Sequence, residues 1–116
     1  MKNVQSFTEF VNEGYANRVG GEVSYLMGDE DYMDDVYQKA ADALGVGING
    51  LYAMDSETED SRELQALPSA EKAYQKGPVT NVKVDGGSLS VNKKAGIAKY
   101  DDNGYELFIF HNKSKF

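Results

Sequence analysis

The sequence predicts a single α+β domain, in which a C-terminal antiparallel sheet of three or four strands packs against helices from the N-terminal two-thirds. Two patterns carry this prediction. Between Val79 and His111, apolar residues alternate with polar ones and are interrupted by turn-forming residues, as in an antiparallel sheet. Before this stretch, apolar residues recur at spacings of three and four, as on the buried face of a helix. A chain of 116 residues is long enough to bury one hydrophobic core without disulfides.

The first hairpin of the predicted sheet turns within Asp85 to Gly87, where the glycines tolerate positive φ. A two-residue turn at Gly86-Gly87 sets Val84 opposite Leu89. A turn at Asp85-Gly86 changes the partners but leaves the same residues on the same face of the sheet, because the two registers differ by two residues. Both registers therefore predict the same buried face.

Beyond the first turn the apolar residues Leu89, Val91, Ala95 and Ile97 continue at odd positions, interrupted by Lys93. This parity predicts one long strand from Ser88 to Tyr100, with a break at Lys93-Lys94 as the alternative. The next turn lies at Asp101 to Gly104, in residues that bond their own backbone or accept a left-handed conformation. A four-residue loop is favoured, because a two-residue loop at Asn103-Gly104 would oppose two acidic residues across the strands, and like charges placed opposite each other are destabilising. A three-residue loop with a bulge is a further alternative.

One face of this sheet is predicted to be apolar throughout and to form the core. Its members are Val82, Val84, Leu89, Val91, Ala95, Ile97, Phe108 and Phe110. The other face is polar near the first turn and apolar near the second, where it carries Gly96, Ala98, Leu107 and Ile109. A sheet face open to water has to be polar. We therefore expect a helix of this chain or a second copy to cover these four residues, and they are the predicted partner or dimer surface.

Composition excludes several classes of protein. The chain has no cysteine, which removes disulfides, thiolate catalysis and cysteine-bound zinc. No apolar run approaches the roughly 20 residues of a membrane helix, and the N-terminus lacks the apolar core of a secretory signal. Met1 to Gly77 has six basic and fifteen acidic residues, a net charge of −9, while Pro78 to Phe116 has six and four, a net charge of +2. The acidic half argues against nucleic acid and suits a basic protein partner.

The N-terminus has two interpretations. Ser6 to Glu9 has the spacing of a capping box, which predicts a short amphipathic helix that ends near Gly14. The segment also begins Met1-Lys2 and contains Glu9-Phe10-Val11-Asn12-Glu13 before Gly14. This pattern resembles the leader of internal head proteins of T-even-type tailed phages. The resemblance implies cleavage by a prohead protease between Glu13 and Gly14, and packaging of the remainder in the capsid. Residues 1–13 are thus a leader or an N-terminal helix, and residues 14–116 form the α+β domain.

The clearest predicted helix runs from Asp29 to Leu44. The acidic residues Asp29 to Asp31 complement the positive end of the helix dipole, and Gly45 suits a left-handed cap. The apolar residues recur on one face: Tyr32, Met33, Val36, Tyr37, Ala40, Ala41 and Leu44.

Two short strands are predicted before the C-terminal sheet. Val23 and Tyr25 alternate with polar residues, and Leu51 to Met54 is a short apolar run. Gly45 to Gly50 spells G-x-G-x-x-G, the dinucleotide-binding fingerprint. That site requires the glycines to follow a strand and open a helix. Here they follow a helix, so we interpret the segment as a flexible connection.

An acidic stretch from Asp55 to Asp60 precedes the next helical region. It lacks the glycine and the glutamate that a calcium loop requires at its sixth and twelfth positions. We therefore predict a solvated loop that enters a helix at Asp60. This helix is expected to stop at Pro68, and a second short helix is expected from Ser69 to Gly77.

The sequence favours no catalytic or metal chemistry. The only histidine, His111, cannot form a two-histidine metal site, and a surface or edge position is expected for it. We predict no cofactor, no metal site and no catalytic residue. The expected function is that of a small acidic, non-catalytic protein, phage-encoded by the resemblance and cytoplasmic or virion-associated, that binds a protein partner. A self-associating structural module is the first alternative, and an enzyme based on paired carboxylates is the second.

Overall fold

Six antiparallel strands form one sheet in the computed structural model, which describes residues 19–28, 31–114 and 116. They are β1 (Gly21–Glu22), β2 (Leu51–Asp55), β3 (Thr80–Val82), β4 (Ser88–Asn92), β5 (Ile97–Asp102) and β6 (Tyr105–His111), in the spatial order β1-β2-β6-β5-β4-β3. The α+β class is confirmed. The predicted strand number is too small, because β1 and β2 from the N-terminal half extend the sheet beyond β6. The predicted leader and its processing site at Glu13 and Gly14 lie outside the described residues.

The segment that contains Val23 and Tyr25, predicted as a strand, forms a short helix instead. After β1 it turns into helix α1 (Val23–Leu26). Val23 is fully buried, while Tyr25 is 80% exposed. In a strand these two residues would point to the same face, whereas in a helix residues two apart lie on nearly opposite sides, so one is buried and the other exposed. Two apolar residues were too short a pattern to distinguish the two structures in the sequence.

Helix α2 (Asp31–Leu44) confirms the clearest helical prediction. Val36, Tyr37, Ala40 and Ala41 are buried on its inner face. Gly45 ends the helix with a φ of 75°, a conformation that glycine adopts without a Cβ penalty. The glycine-rich segment that follows is a connection containing a short 3₁₀ helix (Ile48–Gly50), and the predicted strand at Leu51 is β2.

Helix α3 (Ser61–Gln75) runs continuously through Pro68, so the predicted break there is wrong. A proline inside a helix removes one backbone hydrogen bond and costs about 3 kcal/mol. Pro68 is exposed, as is Leu64, whose carbonyl loses its usual donor. Because Ala66 and Ala70 are completely buried against the sheet, packing on both sides of the proline holds the two halves in one helix.

The predicted long strand is a hairpin. It breaks at Lys93-Lys94, as the alternative held, and β4 and β5 pair with each other so that Asn92 lies opposite Ile97. Because of this turn, the odd-numbered residues of β5 lie on the opposite face of the sheet from those of β4. Leu89 and Val91 now share a face with Ala98 and Tyr100, not with Ile97.

Each face of the sheet is consequently covered by a helix. Helix α2 packs on the face that carries Leu51, Ala53, Leu89, Val91, Ala98, Tyr100, Leu107 and Ile109. Helix α3 packs on the face that carries Met54, Ala95, Ile97, Phe108 and Phe110. The predicted partner or dimer surface is therefore corrected: Gly96, Ala98, Leu107 and Ile109 are all buried within the chain.

At both hairpins the structure adopts the second of the registers considered. At the first turn Val82 lies opposite Leu89, the register of the Asp85-Gly86 alternative. At the second, the two-residue turn Asn103-Gly104 forms with φ of 53° and 88°, and the favoured four-residue loop is wrong. Asn-Gly is well suited to the tight turn that matches strand twist. Asp101 and Glu106 do face each other, but Lys99 Nζ lies 3.2 Å from Glu106 Oε2 and offsets the repulsion.

Candidate functional site

Carboxylates collect at one end of the sheet, which we call the acidic end. Strands β2 and β5 finish there and β6 begins there, because neighbouring strands are antiparallel. These strand ends carry Asp55, Asp101, Asp102 and Glu106, and the loop after β2 adds Glu57, Glu59 and Asp60. The opposite end, the lysine end, holds the β4–β5 turn and the C-terminus of α3, with Lys76, Lys93 and Lys94. The fold thus separates charge along the strand direction.

A groove of about 500 Å³ opens at the acidic end, beside β2. We call it the acidic groove. Its apolar lining consists of Leu26, Ala53, Met54 and Leu107, and its polar lining includes the hydroxyl-bearing Tyr37, Thr58 and Tyr105. Three carboxylates complete it, from Asp55, Glu57 and Glu63, and among the described residues no lysine or arginine lines it. A cationic group with an apolar stem matches this combination.

Two of the three groove carboxylates, Asp55 and Glu63, accept hydrogen bonds from other groups of the chain. The Glu57 N–H donates to Asp55 Oδ1 at 2.8 Å, and the Tyr105 hydroxyl donates to Asp55 Oδ2 at 3.4 Å. The Gly20 N–H donates to Glu63 Oε2 at 3.0 Å. The Glu57 residue is exposed. The groove therefore has two oriented carboxylates and a third at its rim.

Asp60 positions Glu63 in the groove by capping α3. Its Oδ1 accepts the Arg62 N–H at 2.8 Å and the Glu63 N–H at 3.2 Å. The hydrogen bond from the Glu63 N–H, and to a lesser extent that from the Arg62 N–H, holds the pKa of Asp60 below its ordinary value. The solvated acidic loop that enters a helix at Asp60 is thereby confirmed, and the helix begins with a charged cap.

A second polar cluster lies between α3 and the sheet, around Lys99. Its Nζ is 2.9 Å from Glu71 Oε1 and 3.2 Å from Glu106 Oε2, and 5.6 Å from the ring centres of Tyr74 and Phe108. Burial acts to lower the pKa of Lys99, but the two carboxylates outweigh it and raise the pKa above its ordinary value. Lys99 therefore stays protonated and serves as an ionic anchor between helix and sheet, since a nucleophilic amine requires a depressed pKa.

His111 lies at the end of an inner strand, which corrects the expected surface or edge position. Strand β6 pairs with β2 on one side and β5 on the other, and His111 is half-buried. Burial, and then the charge of Lys113, lower the pKa of His111. Its N–H donates to Ser114 Oγ at 2.8 Å, and that hydroxyl donates to the Gly96 carbonyl at 2.5 Å. These contacts tie the C-terminal segment to the β4–β5 turn.

Sequence reasoning missed the acidic groove. It noted the alternating carboxylates after Asp55 but could not group them with Glu63 or Tyr105, which only the folded sheet brings near. Within the described ranges, no cluster of three or more carboxylate or imidazole side chains could hold a metal ion. In the same part of the chain, no helix combines the length and apolar character needed to cross a membrane.

The geometry is the only guide to what this site does, because comparisons with protein-family models, curated proteins and solved structures find no match to this chain.

Proposed function

We propose that this chain is a non-catalytic binding protein whose acidic groove takes a basic segment of a protein partner. The resemblance of its N-terminal leader further assigns it to a phage, as a protein of the infected cell or the virion. One observation carries the binding proposal: three carboxylates and four apolar side chains line one groove that no described cation lines. Nucleic acid is excluded from this proposal because its phosphates would meet carboxylates.

The chemistry of the groove favours arginine or lysine side chains over a neutral ligand. Carboxylates that already accept hydrogen bonds from the chain still offer free lone pairs to a cation. The apolar floor at Leu26 and Leu107 can receive the methylene stem of the same side chain. Since the remaining acidic residues surround this end, their field also attracts a basic partner over longer distances.

A pair of synthetic peptides tests the proposed groove. One contains arginines interspersed with leucine and serine, and the other has glutamate in place of each arginine. We expect the arginine peptide to bind at low ionic strength, to weaken as salt is added, and to shift the amide resonances of Asp55 and Thr58. The glutamate peptide should not bind.

Matched variants separate the groove from net charge. Glu57→Gln with Glu63→Gln removes two groove charges and keeps the acceptor for Gly20. Asp42→Asn with Asp85→Asn removes two exposed charges outside the groove. The groove variant should lose roughly tenfold in affinity, about 1.4 kcal/mol, and the control much less. An equal loss in both variants, or no binding of the arginine peptide at low salt, would refute the site.

The leader assignment has its own measurement. If it holds, mass spectrometry of virions finds this protein with Gly14 at its N-terminus. A virion protein that retains Met1 would remove the processing proposal, while leaving the groove proposal intact.

Self-association is a second candidate, favoured by the separation of charge between the acidic end and the lysine end. Contact between opposite ends of two copies would be heterologous, and such contacts generate rings or open chains instead of a closed symmetric dimer. Sedimentation at micromolar concentration distinguishes the candidates. Assemblies that disappear at high salt would support self-association, and a monomer at low salt would rule it out.

A further inference from the structure

A second cavity, of about 410 Å³, lies at the lysine end of the molecule, far along the strands from the acidic groove. Ala73, Lys76 and Gly77 line it from the C-terminus of α3, and Asn92, Lys94 and Ala95 line it from the β4–β5 hairpin. The cavity exists because three of these residues are alanine or glycine. Its volume falls in the range of about 300–1,000 Å³ that is typical of small-molecule sites.

The charge in this cavity is positive and uncompensated. Lys76 and Lys94 both line it, no carboxylate does, and neither lysine forms an ion pair within the described ranges. The negative end of the α3 dipole would ordinarily oppose an anion here. Asn92 counteracts it, because its Nδ2 donates to the Tyr74 carbonyl at 2.8 Å and to the Ala73 carbonyl at 3.4 Å.

Asn92 also makes the cavity rigid. Its side chain is 1% exposed, and its Oδ1 accepts the Ala95 N–H at 3.0 Å. The same amide therefore binds the end of the helix and the turn of the hairpin, which are the two walls of the cavity. A preformed site of this kind loses little entropy when a ligand enters.

We propose that this cavity binds a small organic anion, with its acidic group between Lys76 and Lys94 and its apolar body against Ala73 and Ala95. The ammonium groups are compact charges that do not impose the planar, forked geometry of a guanidinium. Carboxylate, sulfonate and phosphate ester groups thus share the required chemistry. The apolar body is the second requirement, since the methyl groups of Ala73 and Ala95 belong to the lining.

Titration of the full chain with 2-naphthoate, followed by amide resonances, tests both requirements. We expect saturable shifts at Ala73, Gly77 and Ala95. Inorganic phosphate, which has charge without an apolar body, should bind roughly tenfold more weakly, as should the neutral 2-naphthalenemethanol, which lacks the charge. Equal binding of the neutral analogue would overturn the role of the lysines, and equal binding of phosphate would overturn that of the apolar walls.

The chain offers closely matched control variants. Lys76→Gln with Lys94→Gln removes the two cavity charges, and Lys72→Gln with Lys93→Gln removes two exposed lysines outside the cavity lining. The first pair should weaken naphthoate binding roughly tenfold, and the second clearly less, because Lys72 and Lys93 do not line the cavity and their exposed charges are screened by water and salt. All four positions lie at the surface, so both proteins should fold. Equal losses, or shifts that never saturate, would overturn the proposal without affecting the acidic groove.

Discussion

Replacing Ile109 with alanine tests the central feature of the fold, the burial of the second sheet face beneath α2. Ile109 is completely buried. Its neighbours across the two adjacent strands are Ala53 and Ala98, and Ala40 and Ala41 of α2 belong to the same buried cluster. Alanine at position 109 would therefore leave a space flanked on both adjacent strands by alanine methyl groups, which are too short to fill it.

The expected loss in the free energy of unfolding follows from these small neighbours. The substitution removes the equivalent of three methyl or methylene groups, at about 0.8 kcal/mol each for lost transfer free energy. An unfilled cavity adds a further cost, and buried isoleucine-to-alanine changes fall at about 2–5 kcal/mol in total. Because the neighbours are small, we expect about 3–4 kcal/mol for Ile109→Ala.

Urea denaturation measures this loss in the free energy of unfolding. Val79→Ala is the control, since Val79 is 45% exposed and should change stability by less than about 0.5 kcal/mol. A loss below about 1 kcal/mol for Ile109→Ala would mean that this face is open in solution. The covered sheet, and with it the correction of the predicted partner surface, would then be wrong.

Three further variants test individual interactions. Pro68→Ala should raise the free energy of unfolding by about 1–3 kcal/mol, measured by urea denaturation, because it restores a donor to the Leu64 carbonyl; a loss would show that packing requires the proline. Asp60→Ala should lower the urea midpoint at pH 7. Since the folded-state pKa of Asp60 is depressed, its contribution is complete above the unfolded value of about 3.9 and declines as the pH falls through the folded value, so a pH-independent difference would contradict the charged cap. Lys99→Met should cost about 1–3 kcal/mol by leaving two half-buried carboxylates without a cation, and adding Glu71→Gln should recover part of that loss.

Helix α2 could be predicted from the sequence because only one of its faces is buried. Helix α2 has a solvent face and a core face, so its apolar residues recur with the helical period and its bounds were close to those observed. The hairpin at Lys93-Lys94 shows why other elements could not be predicted from the sequence. Both faces of β5 are covered, so Ile97 and Ala98 are both buried, and alternation no longer reports which face a residue occupies.

The turn at Asn103-Gly104 failed for a different reason. This turn places Asp101 opposite Glu106, and the repulsion between these like charges argued against it. Lys99 offsets the repulsion by pairing with Glu106, but the two residues become diagonal neighbours across the strands only in this register. The acidic groove was beyond sequence reasoning on similar grounds. It is assembled from β1, α1, α2, β2 and its following loop, α3 and β6, and no single stretch of sequence contains it.

The sheet tapers from seven residues in β6 to three in β3 and two in β1 at its borders. Exposed strand borders are where chains add to one another in fibrils, and short border strands present few unpaired backbone groups for such growth. Crowding many copies together, as in a packed particle, should therefore bring side chains of neighbouring molecules into contact without merging their sheets. Any assembly that forms should dissolve on dilution or in salt and should not nucleate amyloid.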